Sequence, residues 1–355
     1  MDARLHRIQA ACGELCDSRR ATFGESIRGV KYGHSKAAVD CSWLLADNTG
    51  IDAILEQEVP PREIPPQWLD EFTMHGRYPN ISQYVPPVKY EKLAGHTMHG
   101  DSIDQSTVTK GWGLADIDRL IGKARNDLHR TRSRRNRTKL LMPWQYHMLN
   151  YELLHVLHTE AVNASGRQVL IIGSGSPWVE AVTLAAGAAH VYTLEYARLV
   201  TDHPQITTLL PSEFLHGARS SSLPKFDLIV TCSSVEHSGL GRYNDGLNPW
   251  GDVLAVARSW CVSAPHARMV IAVPTGSHAY WPEPNDEQTA RENMNDMVLF
   301  NAGRTYGPVR WPFLMTNWIF EMRANFGFNP SWGQSLYVWQ KVRAGRSSVK
   351  GWRML

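Results

Sequence analysis

One stretch, QVLIIGSGSPWVEAVTLAAGAAHVYTLEY at residues 168–196, limits the folds open to this chain more than any other part of it. It begins with an apolar run, QVLIIG, breaks at Gly173 and Gly175, and continues with a helical pattern, PWVEAVTLAAG. A second strand pattern, HVYTLEY, then brings a carboxylate at Glu195. A continuous apolar strand followed by a helix and another strand predicts a βαβ unit of a parallel sheet.

Alternation of strands and helices continues towards the C-terminus. Apolar runs predict further strands at PQITTLL, KFDLIVTCSS, ARMVIAVP and SLYVWQKV, and the segments NPWGDVLAVARSWCV and PFLMTNWIFEMRANFGF predict helices. Strands without polar alternation are buried on both faces, so helices must cover both sides of the sheet. We therefore predict an α/β fold, a Rossmann-like doubly wound and mostly parallel sheet from about residue 140, preceded by an irregular N-terminal extension.

The composition is that of a soluble globular enzyme. Hydrophobic residues make up 43% and charged residues 20% of the 355 residues. A net charge of +3 is too small to indicate a polyanionic partner for the whole molecule, and no apolar run approaches the ~18 residues that a membrane helix needs. The five cysteines do not suggest a disulfide framework, so we expect reduced thiols and, by default, a cytoplasmic protein; a lumenal or secretory protein that has lost its targeting segment stays open.

The glycine turn in IIGSGSPW marks the expected ligand-binding edge. In doubly wound sheets, ligands bind beyond the carboxyl ends of the strands, where the strand order reverses. A dinucleotide fold needs a third small residue in G-x-G-x-x-G, but Trp178 occupies that position, and Pro177 removes an amide that could face a phosphate. A nucleoside without phosphates demands less of this turn, and S-adenosylmethionine (SAM) is such a ligand.

A carboxylate about 20 residues after the glycines supports the nucleoside prediction. Glu195 ends the second strand, where it can accept hydrogen bonds from both ribose hydroxyls; a solvent-facing glutamate is the alternative. Ser212 and Glu213 follow the third strand and are candidates for the adenine edge. The predicted cofactor-binding residues are Gly173, Ser174, Gly175, Glu195, Tyr196, Ser212, Glu213, Ser233 and Ser234.

Polar residues follow the fourth predicted strand in FDLIVTCSSVEHSGLGRY. Glu236 and His237 leave its carboxyl end beside the glycine turn. Methyl transfer to a hydroxyl needs a proton acceptor, and histidine, largely neutral near pH 7, suits that task. We predict His237 as general base and Glu236 as the residue that orients it or holds a substrate hydroxyl. A structural histidine, or a Mg²⁺ or Mn²⁺ site with nearby carboxylates, is the alternative.

Four segments together resemble the DUF268 family, which is related to class I SAM-dependent methyltransferases: GSGSPWVEAVTLAAGAAHVYTLEY, SSVEHSGLGRYNDGLNPWGD, AVPTG and FNAGRTYGPVRWP. The resemblance runs from about Tyr146 to Val342. It implies a sheet of the class I type, with an antiparallel strand near the C-terminus, and SAM as the cofactor. At Ile171 the chain departs from class I enzymes, which often place an acidic residue there.

Composition and the order of predicted strands and helices divide the chain into four regions. The SAM-binding methyltransferase domain spans residues 166–345, between a helical linker region at 114–165 and a C-terminal tail at 346–355. Residues 1–113, proline-rich in places, form an accessory or wrapping region. The linker carries a basic run from Arg130 to Lys139, which is typical of a solvated helix end; docking of a nucleic acid there is the less favoured alternative.

Loops after the fourth and fifth predicted strands are the candidates for acceptor binding. The long insertion after AVPTG is typical of a lid, and its aromatic and polar side chains suit a hydroxylated ring. We predict O-methylation of a sugar or glycan; a nucleic-acid partner is disfavoured, and the sequence contains no membrane segment. A homodimer, a nucleic-acid or protein acceptor, and a SAM-binding protein without activity stay open. The predicted substrate residues are Arg242, Tyr243, Asn301, Arg304 and Tyr306.

Overall fold

The structure is a computed structural model, and it describes eleven parts of the chain. These are residues 3–17, 37–46, 63–77, 110–131, 147–196, 198–241, 247–275, 296–300, 302–307, 309–324 and 334–342. The strands within them are, in chain order, β1 (Lys110–Trp112), β2 (Gln168–Ile172), β3 (His190–Leu194), β4 (Leu199–Thr201), β5 (Ile206–Leu209), β6 (Phe226–Cys232), β7 (Ser263–Pro274), β8 (Met297–Leu299), β9 (Gly303–Thr305), β10 (Trp318–Arg323) and β11 (Gln334–Lys341).

Seven of these strands form one central sheet in the spatial order β10-β11-β7-β6-β2-β3-β5. All neighbouring strands are parallel except at β11, which runs antiparallel to both β10 and β7. Outside this sheet, β1 pairs in parallel with β4, and β8 pairs antiparallel with β9. The predicted fold is therefore confirmed: the sheet is doubly wound and mostly parallel, with one antiparallel strand near the C-terminus.

Helices cover the sheet on both sides. The helices of the described residues are α1 (Ala3–Cys12), α2 (Cys41–Leu44), α3 (Leu69–Phe72), α4 (Leu114–Thr131), α5 (His147–Val156), α6 (Trp178–Ala185), α7 (Pro211–Arg219), α8 (Gly251–Val262) and α9 (Trp311–Leu314). Within the described parts of the chain, none of the helices combines the length and the apolarity needed to cross a membrane.

Each face of the sheet has its own hydrophobic core. On one face, α4, α5 and α6 pack in a core that contains Val169 and Ile171 of β2. On the other face, α7, α8 and the N-terminal helices α1, α2 and α3 contribute to a core that contains Leu170 and Ile172. Successive strand residues point to opposite faces, so these four consecutive residues are all buried. Because both faces are apolar, polar side chains gather at the strand ends.

The helix predicted for residues 312–328 is wrong after its first turn. The chain forms the short helix α9 and then, from Trp318 to Arg323, the edge strand β10, which pairs with β11. Aromatic and β-branched residues such as Trp318, Ile319 and Phe320 suit a strand. Pairing with β11 satisfies the backbone at the edge of the sheet, and this tertiary contact decides between two patterns that the sequence alone does not separate.

Two disulfides are formed where reduced thiols were predicted. Cys12 is bonded to Cys16 next to α1, and Cys41 in α2 is bonded to Cys261 in α8. Cys232, at the end of β6, is free and buried. The prediction is thus wrong for four of the five cysteines, because chain spacing gives no information about a pair separated by 220 positions.

We expect loss of the Cys41–Cys261 bond to lower the free energy of unfolding by about 2–4 kcal/mol, the usual effect of a disulfide that closes a long loop. A Cys41→Ser/Cys261→Ser variant should unfold at a lower denaturant concentration than the wild type. The matched Cys12→Ser/Cys16→Ser variant, which opens a short loop, should lose less. Equal unfolding midpoints for the wild type and the Cys41/Cys261 variant would contradict this expectation.

Candidate functional site

The candidate site lies at the carboxyl edge of the sheet, where β2 and β6 are neighbours. From β2 the chain moves outward to β3 and β5, and from β5 it returns to β6 on the other side of β2. The strand order therefore reverses between β2 and β6. Doubly wound sheets bind ligands at such a reversal, beyond the carboxyl ends of the strands.

Gly173 follows β2 and brings the first turn against the segment after β6. Its φ is +72°, a conformation that favours glycine, and a Cβ added there would overlap the Ser234 hydroxyl. A Cβ added at Gly175 would meet no heavy atom within 4 Å. The turn is therefore closed where it contacts Ser234 and open at Gly175.

Glu195 follows β3, and its carboxylate reaches back to the glycine turn. Oε2 accepts a hydrogen bond from the backbone N–H of Ser174 at 2.8 Å, and Oε1 accepts one from the N–H of Tyr196 at 2.7 Å. The residue is half-buried. Each carboxylate oxygen can accept more than one hydrogen bond, so this position is compatible with the ribose contact predicted from the sequence.

A second carboxylate, not predicted from the sequence, lies on the other side of Ser174. Glu180 in the first turn of α6 is fully buried; its Oε2 lies 2.9 Å from Ser174 Oγ, and its Oε1 accepts a hydrogen bond from Thr193 Oγ1 at 2.8 Å. Burial raises the pKa of Glu180 to about 7. The signal in the sequence was that no other Asp, Glu, Lys or Arg occurs between Gln168 and Leu194.

Trp178 packs in the hydrophobic core on the face covered by α4, α5 and α6, where it is 8% exposed. Ile171 lies in the same core. Trp178, which departs from the dinucleotide motif, and Ile171, which departs from the class I pattern, therefore both belong to the packing under the turn. A tryptophan in this place is incompatible with the close helix–strand contact of a dinucleotide fold.

Ser212 and Glu213 are exposed in the first turn of α7. Glu213 Oε2 accepts a hydrogen bond from the backbone N–H of Leu210 at 2.8 Å, and its Oε1 lies 3.4 Å from a nitrogen of Arg198. Glu213 thus caps the helix α7. Tyr196, another predicted cofactor-binding residue, lies beside Glu195 and is half-buried. A contact of Ser212 or Glu213 with adenine stays a prediction.

His237 closes a 3₁₀ turn, Val235–His237, that follows β6. Its Nδ1 contacts the carbonyl oxygen of Ala302, and its Nε2 lies 3.5 Å from Oε1 of Glu236. A carbonyl can only accept, so Nδ1 must carry a proton in this contact. In the neutral ring, Nε2 is then the nitrogen that can accept a proton.

Glu236 is buried and is held by a short chain of side chains. Ser233 Oγ donates to Glu236 Oε1 at 2.8 Å, and Gln334 Nε2 donates to Ser233 Oγ at 3.0 Å. Gln334 begins β11, whose antiparallel direction brings this first residue to the carboxyl end of β7. Only the pairing of β11 with β7 reveals that Gln334 belongs here, and it was therefore missed.

Arg304 and Tyr306, predicted substrate residues, are buried and hydrogen-bonded within the protein. Arg304 donates to the carbonyl oxygen of Ser238 at 2.6 Å, and the Tyr306 hydroxyl donates to Asp252 Oδ2 at 3.0 Å. Arg310 pairs with both oxygens of Asp252. Burial alone would raise the pKa of Asp252, but the Arg304 and Arg310 guanidiniums lower it. This network connects the segment after β9 to α8.

Three further predicted substrate residues, Arg242, Tyr243 and Asn301, lie outside the described residues, as does most of the insertion after AVPTG. Within the parts of the chain that the structure describes, no group of three or more His, Cys, Asp or Glu residues could hold a metal ion. A Mg²⁺ or Mn²⁺ site therefore gains no support from these residues.

Residues 166–283, about a third of the chain, match the model of the family described as Caenorhabditis protein of unknown function, DUF268. The predicted resemblance to this family is confirmed over these residues. The matched segment begins just before β2 and ends after β7, so it contains the glycine turn, Glu195 and His237. No curated protein matches the chain.

Solved structures similar to this chain include methyltransferases. The N-methyltransferase NodS of Bradyrhizobium japonicum WM9 is 13% identical over 55% of this chain and 95% of its own, with a TM-score of 0.35. A Listeria monocytogenes protein assigned as a SAM-dependent methyltransferase is 10% identical over 55% of this chain and 99% of its own, with a TM-score of 0.35. A Streptococcus thermophilus protein assigned as a hemolysin is 12% identical over 56% of this chain and 68% of its own, with a TM-score of 0.37. The fold assignment rests on the strand order of the central sheet.

Replacement of Gly173 by alanine should destabilise the protein by roughly 2–4 kcal/mol, because the new Cβ meets Ser234 and the positive φ strains the backbone. Gly175→Ala is the matched control; its Cβ enters open space, and it should change the free energy of unfolding by less than about 1 kcal/mol. Urea unfolding of both variants measures the difference. Equal losses in the two variants would show that the contact with Ser234 is not the constraint.

Proposed function

We propose that this protein is a SAM-dependent methyltransferase. The observation that supports the proposal most is the position of Glu195, a carboxylate after β3 that is fixed by the N–H of Ser174 in the turn after β2. At the switch point of a doubly wound sheet, a carboxylate in this place binds the hydroxyls of a ribose. The open side of the turn at Gly175 suits the close approach of a nucleoside.

SAM fits the turn better than a dinucleotide does. A pyrophosphate is normally bound by backbone N–H groups at the start of the helix after the glycines. Pro177 has no N–H, and the N–H of Trp178 donates to the carbonyl of Ser176 at 2.8 Å. These two positions therefore offer no hydrogen-bond donor to a phosphate. SAM contains no phosphate and does not need such a donor.

Different residues of this chain would bind the cofactor and align the acceptor with it. SAM, when bound, supplies an electrophilic methyl group on its sulfonium. Glu195 would hold the ribose, and the backbone from Gly173 to Gly175 would form the wall beside it. Glu236 and His237 follow the neighbouring strand β6, and the contact between Gly173 and Ser234 joins their turn to the cofactor turn.

For the acceptor, we propose a hydroxyl group of a sugar or glycan, with His237 as general base. The Ala302 carbonyl fixes the proton on Nδ1 and leaves Nε2 to take the proton of the hydroxyl. Glu236, 3.5 Å from Nε2, would stabilise the imidazolium that forms. The carbohydrate class rests on the residues predicted from the sequence, because Arg304 and Tyr306 are occupied within the network around Asp252.

Two alternatives keep the same cofactor. A nucleic-acid or protein acceptor would use the basic run from Arg130 to Lys139, most of which lies outside the described residues. A SAM-binding protein without activity would keep the role of Glu195 and would be indifferent to changes at His237.

Calorimetry tests the cofactor assignment. We expect SAM and S-adenosylhomocysteine to bind and NAD not to bind, and Glu195→Gln to weaken SAM binding by about 1–3 kcal/mol, the scale for a lost hydrogen bond to a charged group. Glu160→Gln, which changes an exposed carboxylate after α5, is the matched control and should bind like the wild type. Unchanged SAM affinity in Glu195→Gln would refute the ribose contact, and NAD binding would refute the cofactor class.

Transfer of labelled methyl groups from SAM into a panel of sugars and glycans tests the base. His237→Gln should lower the rate by about 10²–10⁴-fold, the range for loss of a general base, and leave SAM affinity unchanged. His158, whose Nδ1 likewise contacts a backbone carbonyl but lies after α5, provides the control variant His158→Gln, which should transfer at the wild-type rate. Full activity of His237→Gln would remove His237 from the chemistry.

A further inference from the structure

We propose that Glu180 holds a proton in the cofactor-free protein and releases it when a cationic cofactor binds at the glycine turn. SAM carries one net positive charge through its sulfonium, whereas S-adenosylhomocysteine, the compound left after methyl transfer, carries none. SAM binding would therefore release a proton, and S-adenosylhomocysteine binding would not. The inference rests on the proposed function.

The hydrogen bonds around Ser174 provide the first argument. Ser174 Oγ lies 2.9 Å from Oε2 of Glu180 and 2.9 Å from the carbonyl oxygen of Ser176. A serine hydroxyl has one proton to donate, and a carbonyl can only accept. If Ser174 donates to Ser176, a proton on Oε2 of Glu180 completes the chain by donating to Ser174. Thr193, which donates to Oε1, is compatible with that arrangement.

The surroundings of Glu180 provide the second argument. The side chain is completely buried, and within the described residues it forms no ion pair with a lysine, arginine or histidine. Buried carboxylates without a cation hold their proton to higher pH. Burial accordingly raises the pKa of Glu180 to about 7, and the negative charge of Glu195 adds to the effect.

The other groups near Glu180 do not replace a cation. Cys232 at the end of β6 interacts electrostatically with Glu180, and burial raises the pKa of its thiol, so it stays neutral. Helices α4 and α5 pack against α6. The titratable residues that they place in buried or half-buried positions are Lys123, Asp127, Tyr151, Glu152 and His155, and none of them contributes appreciably to the pKa of Glu180.

A bound cation changes this balance. Positive charge near the turn stabilises the carboxylate form of Glu180. The Ser174 hydroxyl can then donate to the ionised Glu180 carboxylate instead of the Ser176 carbonyl. The backbone N–H of the same Ser174 donates to Glu195. The protonation of Glu180 is thus coupled to the residue that would hold the ribose.

The pH dependence follows from the sign of the pKa change. Below pH 7, SAM must displace a proton from Glu180, so its affinity should rise with pH by up to about tenfold per unit and become constant above the pKa. S-adenosylhomocysteine does not favour either form of Glu180, so its affinity should not follow this slope.

Calorimetry of the full chain at pH 6.5 in phosphate and in imidazole buffer, which differ in ionisation enthalpy, counts the protons. We expect roughly half to one proton released per SAM and close to none per S-adenosylhomocysteine. At pH 8.5 the release with SAM should disappear. Glu180→Gln, which keeps the size of the side chain, should bind SAM without release at either pH. Glu152→Gln, which removes a buried carboxyl with a similarly raised pKa, should release protons like the wild type.

The outcomes separate this inference from the proposed function. Binding of SAM and S-adenosylhomocysteine with equal proton counts in the wild-type protein would overturn the inference and leave the methyltransferase proposal intact. Undiminished release in Glu180→Gln would overturn it in the same way. Failure of both compounds to bind would overturn the proposed function, and the inference with it.

Discussion

Ser174 joins two carboxylates, and the shape of the candidate site depends on this connection. Its backbone N–H donates to Glu195, and its hydroxyl lies against the buried Glu180. The preceding residue, Gly173, contacts Ser234 after β6. The ends of the neighbouring strands β2, β3 and β6 are thereby fixed to one another through a single tight turn. Because both faces of the sheet are covered by apolar cores, polar groups lie at this edge.

The same arrangement gives the site a negative character. Glu195 and Glu236 follow the ends of β3 and β6, and the buried guanidiniums nearby are paired with Asp252 and with backbone carbonyls. Such a site is suited to a cationic nucleoside and unsuited to pyrophosphate. His237, the general base that we propose for a hydroxyl substrate, lies on the adjoining turn.

Much of the fold follows from local pattern, and some of it does not. Apolar runs around Val169 and Ile229 predict buried parallel strands. The position of Glu195 at the end of the second predicted strand places its carboxylate beside the glycine turn. The local pattern around Trp318 predicts a helix, but the segment is an edge strand because its pairing with β11 decides its form. Gln334 likewise depends on the pairing of β11 with β7, and the Cys41–Cys261 bond depends on how distant segments meet. Arginine is a residue type that often contacts ligands, so the sequence predicts Arg304 as a substrate residue. Only the structure shows that Arg304 is buried and that its hydrogen bonds are internal.

A crystal structure of the protein with S-adenosylhomocysteine would show directly whether Glu195 binds the ribose. We expect both ribose hydroxyls within hydrogen-bonding distance of the Glu195 carboxylate and the nucleoside in van der Waals contact with the backbone at Gly175. A nucleoside bound elsewhere, or one bound at this edge with its ribose away from Glu195, would contradict this expectation.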